Sequence, residues 1–227
     1  LLGTAMLPAF LFADYKGREV TGSYKLAQTE AILVDESREE TFESDGSKRE
    51  VPVHFYYPED AGDGETFPLV IFSHGAFGYY QSNSSTYMEL ASHGYVVVSL
   101  DHPYHSFFCK DTDGKIITVN QEFMNDVMKV NEDAIPESEI IKLSSAWLKL
   151  RTDDISFVID SIESYNKDGK LDESWFVKGN QDMILKALDM VDTDKIGLMG
   201  HSLGGASSVE LGRVRDDIDA VIDLDGT

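Results

Sequence analysis

The stretch that most limits what this chain can become is Lys195–Val214, KIGLMGHSLGGASSVELGRV. An apolar run, Ile196 to Met199, leads into Gly200-His201-Ser202-Leu203-Gly204 and then into a segment with helical character. Gly-x-Ser-x-Gly at a strand-to-helix turn is the setting in which a serine becomes an exposed nucleophile. The serine occupies a strained backbone corner, and glycines two positions to either side leave room where a Cβ would collide with the turn. Gly205-Ala206 continues the small-residue run into the helix. The segment therefore predicts a parallel sheet whose strand feeds Ser202 to a helix N-terminus.

The rest of the chain supplies that sheet. Thr29–Val34 and Val51–Tyr57 read as strands, with the Asp45-Gly46 turn signal in the polar stretch between them. Leu69–Phe72 and Tyr95–Leu100 are short apolar runs of the kind buried on both faces, separated by a helix over Ser84–Ser92 that stops at Gly94. Strand, helix, strand at this spacing is a βαβ unit. Ile218–Leu224 reads as the last strand and Gln181–Met190 as a helix. The expected fold class is α/β, a mostly parallel central sheet with helices on both faces.

Ser145–Tyr165 reads as the longest helix, with Trp147, Leu148, Ile155, Val158, Ile159 and Ile162 as its core stripe. Arg151 and Asp154, three apart, are expected to form an ion pair on its surface or to a loop. Asn166–Asn180 reads as a polar loop. Residues 104–143 interrupt the alternation, with a turn at Asp111–Gly114 and an amphipathic helix over Gln121–Asp133. They are too many for a plain connection and are expected to form an insertion or lid over the site.

Composition narrows the partners. With 41 Asp+Glu against 19 Lys+Arg the net charge is −22, a surface that repels phosphate backbones and argues against nucleic acid. The single cysteine, Cys109, excludes an intrachain disulfide and reads as a packing residue. No zinc-type spacing of Cys and His appears, and the chemistry implied by Ser202 needs neither metal nor organic cofactor. Leu1–Phe12 is an apolar arm, too short at twelve residues to span a bilayer, for which about 20 are needed. It is read, within 1–20, as an arm on the body or the tail of a membrane or signal segment, which favours a membrane-associated or extracytoplasmic location. Residues 21–227 form the main domain. The chain opens without Met and stops just after an apolar strand, so both ends are expected to continue.

Attack by Ser202 on an ester carbonyl requires a base, a carboxylate to orient it and donors for the oxyanion. The Leu203 N–H, at the start of the helix, is one expected donor; the Ala76 N–H, in the Ser73-His74-Gly75-Ala76 turn, is the other. His74 itself reads as a loop-bracing residue. Asp223 and Asp225 are both candidate acids, and alternation along a strand sends them to the same face. Asp225, nearer the carboxyl end, is favoured. The base is the gap: the six histidines are 54, 74, 93, 102, 105 and 201, none after Ser202, whereas the chain order of this arrangement is Ser, acid, His. The catalytic histidine is expected beyond Thr227.

Several blocks together are similar to one family. Thr21–Leu26 (TGSYKL) resembles a TGPY opening, with Ser23 for Pro and Ala27 for the usual Gly. Asp35–Glu40 resembles D-P-S-R-x-E, and Val53–Pro58 resembles V-x-V-W-Y-P. Phe72–Gly75 with Leu90–Tyr95 matches FSHG followed by LASHG-aromatic, and Gly200–Ala206 matches GHSFGGA with Leu203 for Phe. From about Thr21 onward the chain resembles the platelet-activating-factor acetylhydrolase-like branch of the α/β-hydrolases. That resemblance implies an α/β-hydrolase fold and a serine carboxylic-ester hydrolase cleaving short acyl esters, including the sn-2 acetyl of phospholipids. It places the acid in a Leu-Asp pair, matched by Leu224-Asp225, 23 residues after Ser202. It also puts the histidine tens of residues later, and it accounts for an apolar segment ahead of Thr21. Two other functions fit the same residues: a general lipase, polyesterase or carboxylesterase, and a non-catalytic α/β-hydrolase binding module.

Overall fold

Two long β-strands open the chain. β1 (Leu26–Glu39) and β2 (Lys48–Pro58) pair antiparallel over almost their whole length, and in β1 Ala31, Leu33 and Asp35 alternate inward. The computed structural model describes residues 19–132 and 134–226. The arm at Leu1–Phe12 lies outside them, and no helix among the described residues is long and apolar enough to cross a membrane.

The sheet has seven strands in the order β7-β1-β2-β4-β3-β8-β9, with β3 (Phe67–Ser73), β4 (Val96–Leu100), β7 (Trp175–Phe176), β8 (Val191–His201) and β9 (Ala220–Leu224). β4, β3, β8 and β9 pair parallel, while β1–β2, β2–β4 and β1–β7 pair antiparallel, so β1, β3, β4, β8 and β9 all run the same way. The mostly parallel sheet expected from the sequence is thus present, with reversed strands on one side only.

Helices cover both faces because the central strands are apolar on both. α1 (Ser84–Ser92) packs Tyr87 and Ala91 on Tyr56, Phe72, Val97 and Met199. The opposite face receives α3 (Glu137–Asp168), α4 (Gln181–Asp189) and α5 (Leu203–Gly212), whose Ile155, Val158, Ile159, Ile162, Ile184, Leu188 and Leu211 join Leu69, Ile71, Val96, Val98, Ile196 and Leu198. β8 contributes Ile196 and Leu198 to one face and Met199 to the other, which fixes the register that delivers Ser202 to the sheet's carboxyl edge.

Several boundaries differ from the sequence reading. α3 starts at Glu137 instead of Ser145, because Pro136 with Glu137 and Glu139 makes a good first turn while that turn carries no core stripe to reveal it. Its end runs through Asp168 to Gly169, at φ 67°. Within the stretch taken as a polar loop, Trp175 buries its ring 6.4 Å from Phe55 and makes β7 an edge strand. Residues 104–143 hold the antiparallel pair β5 (Phe108–Lys110) and β6 (Ile116–Thr118), then α2 (Gln121–Asn131), capped where the Asn120 side chain accepts from the Phe123 N–H at 2.9 Å.

Candidate active site

Ser202 stands between β8 and α5 at φ 51° and ψ −126°, a conformation few non-glycine residues adopt. The neighbouring glycines are needed for close approach. A Cβ on Gly200 would strike the backbone of Gly204 and Gly205, and one on Gly204 would strike the Ser73 and His74 carbonyls. The elbow helix therefore rests directly on the loop after β3. The Ser202 N–H donates to the Leu224 carbonyl at 2.9 Å, tying the elbow to the end of β9.

Ser202, Leu203 and Ala76 line one cavity of 260 Å³, walled by Phe77, Val127, Val130, Trp147 and Leu148. Leu203 is the first residue of α5, and an N–H at that position has no intrahelical partner. Among the described residues no hydrogen bond is made by the Ala76 N–H. Val127 and Val130 come from α2, inside the segment expected to cover the site. Trp147 and Leu148, expected in the core, instead form the cavity wall, and only the later half of the α3 stripe reaches the sheet.

Asp223 and Asp225 part company. The Asp223 carboxylate accepts from the Gly226 N–H at 2.7 Å and lies against Gly205. Asp225 follows β9 at φ 59°, so strand alternation does not continue through it; it is exposed, and it is not among the residues of the cavity wall.

No histidine lines that cavity. His201 is exposed, with its ring against Gly75. His74, His102 and His105 are buried; His74 and His102 use both ring nitrogens elsewhere, and His105 uses Nδ1. His102 Nδ1–H donates to Asp154 and its Nε2 accepts from the Ser73 hydroxyl, both at 2.9 Å. His74 Nδ1–H donates to the Gly75 carbonyl at 2.7 Å, and its Nε2 accepts from the Ser106 hydroxyl at 2.7 Å. His105 stacks on Phe123, centroids 3.7 Å apart, with Nδ1 accepting from Arg151 at 3.4 Å.

Arg151 and Asp154 do not pair with each other on a surface; both are fully buried. Asp154 accepts from Arg38 Nη1 (3.0 Å), Arg49 Nε (3.1 Å), Arg49 Nη2 (2.7 Å) and His102. Burial alone would raise its carboxyl; the Arg49 charge and these hydrogen bonds hold it well below the usual carboxylate range. Arg38 also pairs with Asp35, and Arg49 with Glu40 at 2.8 Å. Two guanidiniums, Arg38 and Arg49, thus meet the three carboxylates Asp35, Glu40 and Asp154. Arg151 and Asp154 lie on the helix face of Leu148, Ile155 and Val158, and a charge at a stripe position was the one sequence signal of this cluster.

Burial and the Arg151 charge keep the three histidines neutral, His102 with a pKa of about 4 and the other two well below the ordinary value. In the unfolded chain each titrates near 6.5. Their contribution to stability is present above pH 6.5 and is lost as pH falls below it, because the unfolded chain then binds protons the native one refuses. His54 is raised: burial lowers its pKa, but Asp101 and Glu30 outweigh that. Its contribution has the opposite sign, yet near pH 5 it is protonated in both states and drops out. Three protons at about 1.4 kcal/mol per pH unit each give a slope of about 4 kcal/mol per unit near pH 5. The urea midpoint should fall steeply between pH 6.5 and 4.5; a flat midpoint there would mean that the histidines are not held neutral.

Cys109 is buried, and burial pushes its thiol far up, as suits a packing residue.

Comparison with known proteins gives the fold and the family. The chain superposes on the ferulic acid esterase from Streptomyces cinnamoneus with a TM-score of 0.64 at 23% identity, over 93% of this chain and 63% of that one. The likeness shows the α/β-hydrolase fold. Among curated proteins, the platelet-activating factor acetylhydrolase of Bos taurus is 28% identical over 155 residues, 65% of this chain and 32% of its own. The probable 1-alkyl-2-acetylglycerophosphocholine esterase of Arthroderma benhamiae is 27% identical over 172 residues, 75% of this chain and 34% of its own. The chain therefore spans about a third of the length of the curated relatives it matches. The family described as platelet-activating factor acetylhydrolase, isoform II, matches residues 39–226, a span that includes β2, the loop after β3, the elbow and β9, and the chain belongs to that family.

Proposed function

We propose that this chain carries the nucleophile, the oxyanion donors and the acid of a serine carboxylic-ester hydrolase acting on short acyl esters. The observation that carries the reading is the single cavity shared by Ser202, Leu203 and Ala76. Ser202 Oγ attacks the ester carbonyl carbon, and its proton passes to a base. The carbonyl oxygen, now anionic, receives the Leu203 and Ala76 N–H groups; each such donor is worth roughly 3–4 kcal/mol in the transition state. Collapse expels the alcohol, and water then hydrolyses the acyl-enzyme. Asp225 orients the base, which a histidine from outside these 227 residues supplies, since no histidine among the described residues lines the cavity of Ser202. Asp225 is preferred to Asp223 because it follows the carboxyl end of β9, in the Leu224-Asp225 pair.

The substrate reading follows the walls. Phe77, Val127, Val130, Trp147 and Leu148 give the cavity an apolar side, and Asn131 and Ser144 add polar groups to the wall, a lining that suits a small acyl group beside the polar atoms of its ester. An sn-2 acetyl phospholipid, as the names of the relatives suggest, fits that class. Residues 104–143 act as a lid through Val127 and Val130.

The test uses the full-length protein with a fluorophosphonate probe and p-nitrophenyl acetate. Wild type should label and turn over, with acetate preferred to octanoate, and Ser202→Ala should do neither. Equal labelling of the two proteins sinks the nucleophile; no labelling of wild type favours a non-catalytic binding module; octanoate preference favours a general lipase or carboxylesterase.

A further inference from the structure

The site described above does not explain why Arg151 is where it is. Its guanidinium is fully buried, and among the described residues no carboxylate lies within ion-pair distance of it. The nearest candidate, Asp154, is already taken by Arg38, Arg49 and His102. A buried cation without its own counter-ion is costly to fold, so what its donors hold deserves an account. Nη1 donates to the His74 carbonyl and Nε to His105, and Nη2 has no partner among the described residues.

The His74 carbonyl is the first peptide of the turn that ends in Ala76. The next peptide is held as well: the Gly75 carbonyl accepts from His74 Nδ1–H at 2.7 Å and from the Gly78 N–H at 3.1 Å. No peptide among the described residues is cis, so the Gly75 C=O and the Ala76 N–H point in opposite directions across one rigid plane. Fixing that carbonyl inward fixes the Ala76 N–H outward, on the side where Ala76 lines the cavity with Ser202. Arg151 anchors the peptide before it and, one helical turn from Trp147 and Leu148, references it to the cavity wall.

We propose that Arg151 is a positioning residue for the oxyanion donor, holding the His74–Gly75–Ala76 turn so that the Ala76 N–H faces the reacting carbonyl. This rests on the assignment of Ser202 and Ala76 above. Without the guanidinium, the buried His74 carbonyl loses its donor and the turn can rotate away from the site. The effect belongs to the transition state, because only there is the oxygen fully anionic.

The test measures kcat and KM for p-nitrophenyl acetate per fluorophosphonate-titrated site in full-length wild type, Arg151→Met and Arg151→Lys, with thermal melts alongside. Arg151→Met should lower kcat about 100-fold, the loss typical of one oxyanion donor, with KM within threefold. Arg151→Lys, which keeps a donor but not the fork, should recover about tenfold of that and stay about tenfold below wild type. Affinity for a trifluoromethyl ketone should fall with kcat, while affinity for the matching methyl ketone holds. Unchanged kcat per titrated site in Arg151→Met overturns the proposal, as does a loss in which both ketones weaken equally. If Arg151→Met does not fold, Arg151→Lys decides alone: a fall in kcat per site of less than fivefold overturns it, and a fall of fivefold or more at constant KM supports it. A wild type that fails to label removes the Ser202 assignment, and this inference falls with it.

Discussion

Asp154→Ala is expected to cost about 3–5 kcal/mol of folding free energy, the range for removing one partner of a buried charge cluster. The residue is fully buried and accepts four hydrogen bonds, three from guanidinium nitrogens and one from His102. Removing it leaves three guanidiniums, Arg38, Arg49 and Arg151, against two carboxylates, Asp35 and Glu40, a net positive charge in a largely buried cluster. It also leaves His102 Nδ1–H unsatisfied and loosens the link to Ser73 at the end of β3. For a domain whose whole stability is of order 5–15 kcal/mol, such a loss unfolds a visible fraction of the protein at ambient temperature. Urea denaturation of Asp154→Ala beside Asp154→Asn checks this. The amide can still accept from His102 but restores no charge, so Asn should recover only a minor part. A loss below about 1 kcal/mol for Ala would contradict the buried ionic role.

Gly204→Ala should lower kcat at least about 100-fold, the scale of a misplacement near 1 Å at the reacting centre. The added Cβ meets backbone carbonyls of Ser73 and His74, atoms that cannot swing aside as a side chain could. Relief requires α5 to lift from the loop after β3, which separates Ser202 and Leu203 on one side from Ala76 on the other. The same methyl on an exposed helix would raise helix propensity by about 1 kcal/mol, so a stabilised, fully active variant is the outcome that would refute the contact. Gly46→Ala offers the comparison: it has φ +79° and nothing near its Cβ, so it should alter turn stability only and leave kcat per titrated site unchanged.

How much could be read in advance depended on range. Apolar runs at Leu69–Phe72 and Tyr95–Leu100, the helix at Ser84–Ser92 and the elbow at Gly200–Gly204 are local patterns, and each lies where its spacing put it. β7 was hidden because two residues, Trp175 and Phe176, carry no period of their own; only the free edge of β1 makes them a strand. Alternation placed Asp223 and Asp225 on one face, but a left-handed backbone at Asp225 breaks the period at that point. By residue type and spacing Arg151 and Asp154 read as an ion pair on the helix surface or to a loop, whereas their place on the apolar stripe carries the better information.

The sequence by itself determined the order of the central strands and helices, the small residues that let the chain turn at Ser202, and the residue types proposed above for nucleophile, acid and oxyanion donors. These follow from periodicity and from glycines whose absent Cβ has a local reason. Only the tertiary structure decided which charges are buried together, that His74, His102 and His105 are committed away from the cavity, and that Trp147 and Val127 face Ser202 instead of the core. Those facts depend on which segments distant in the chain come to lie within hydrogen-bond reach, Arg38 and Arg49 with Asp154 or Ser73 with His102, and no local pattern encodes that distance.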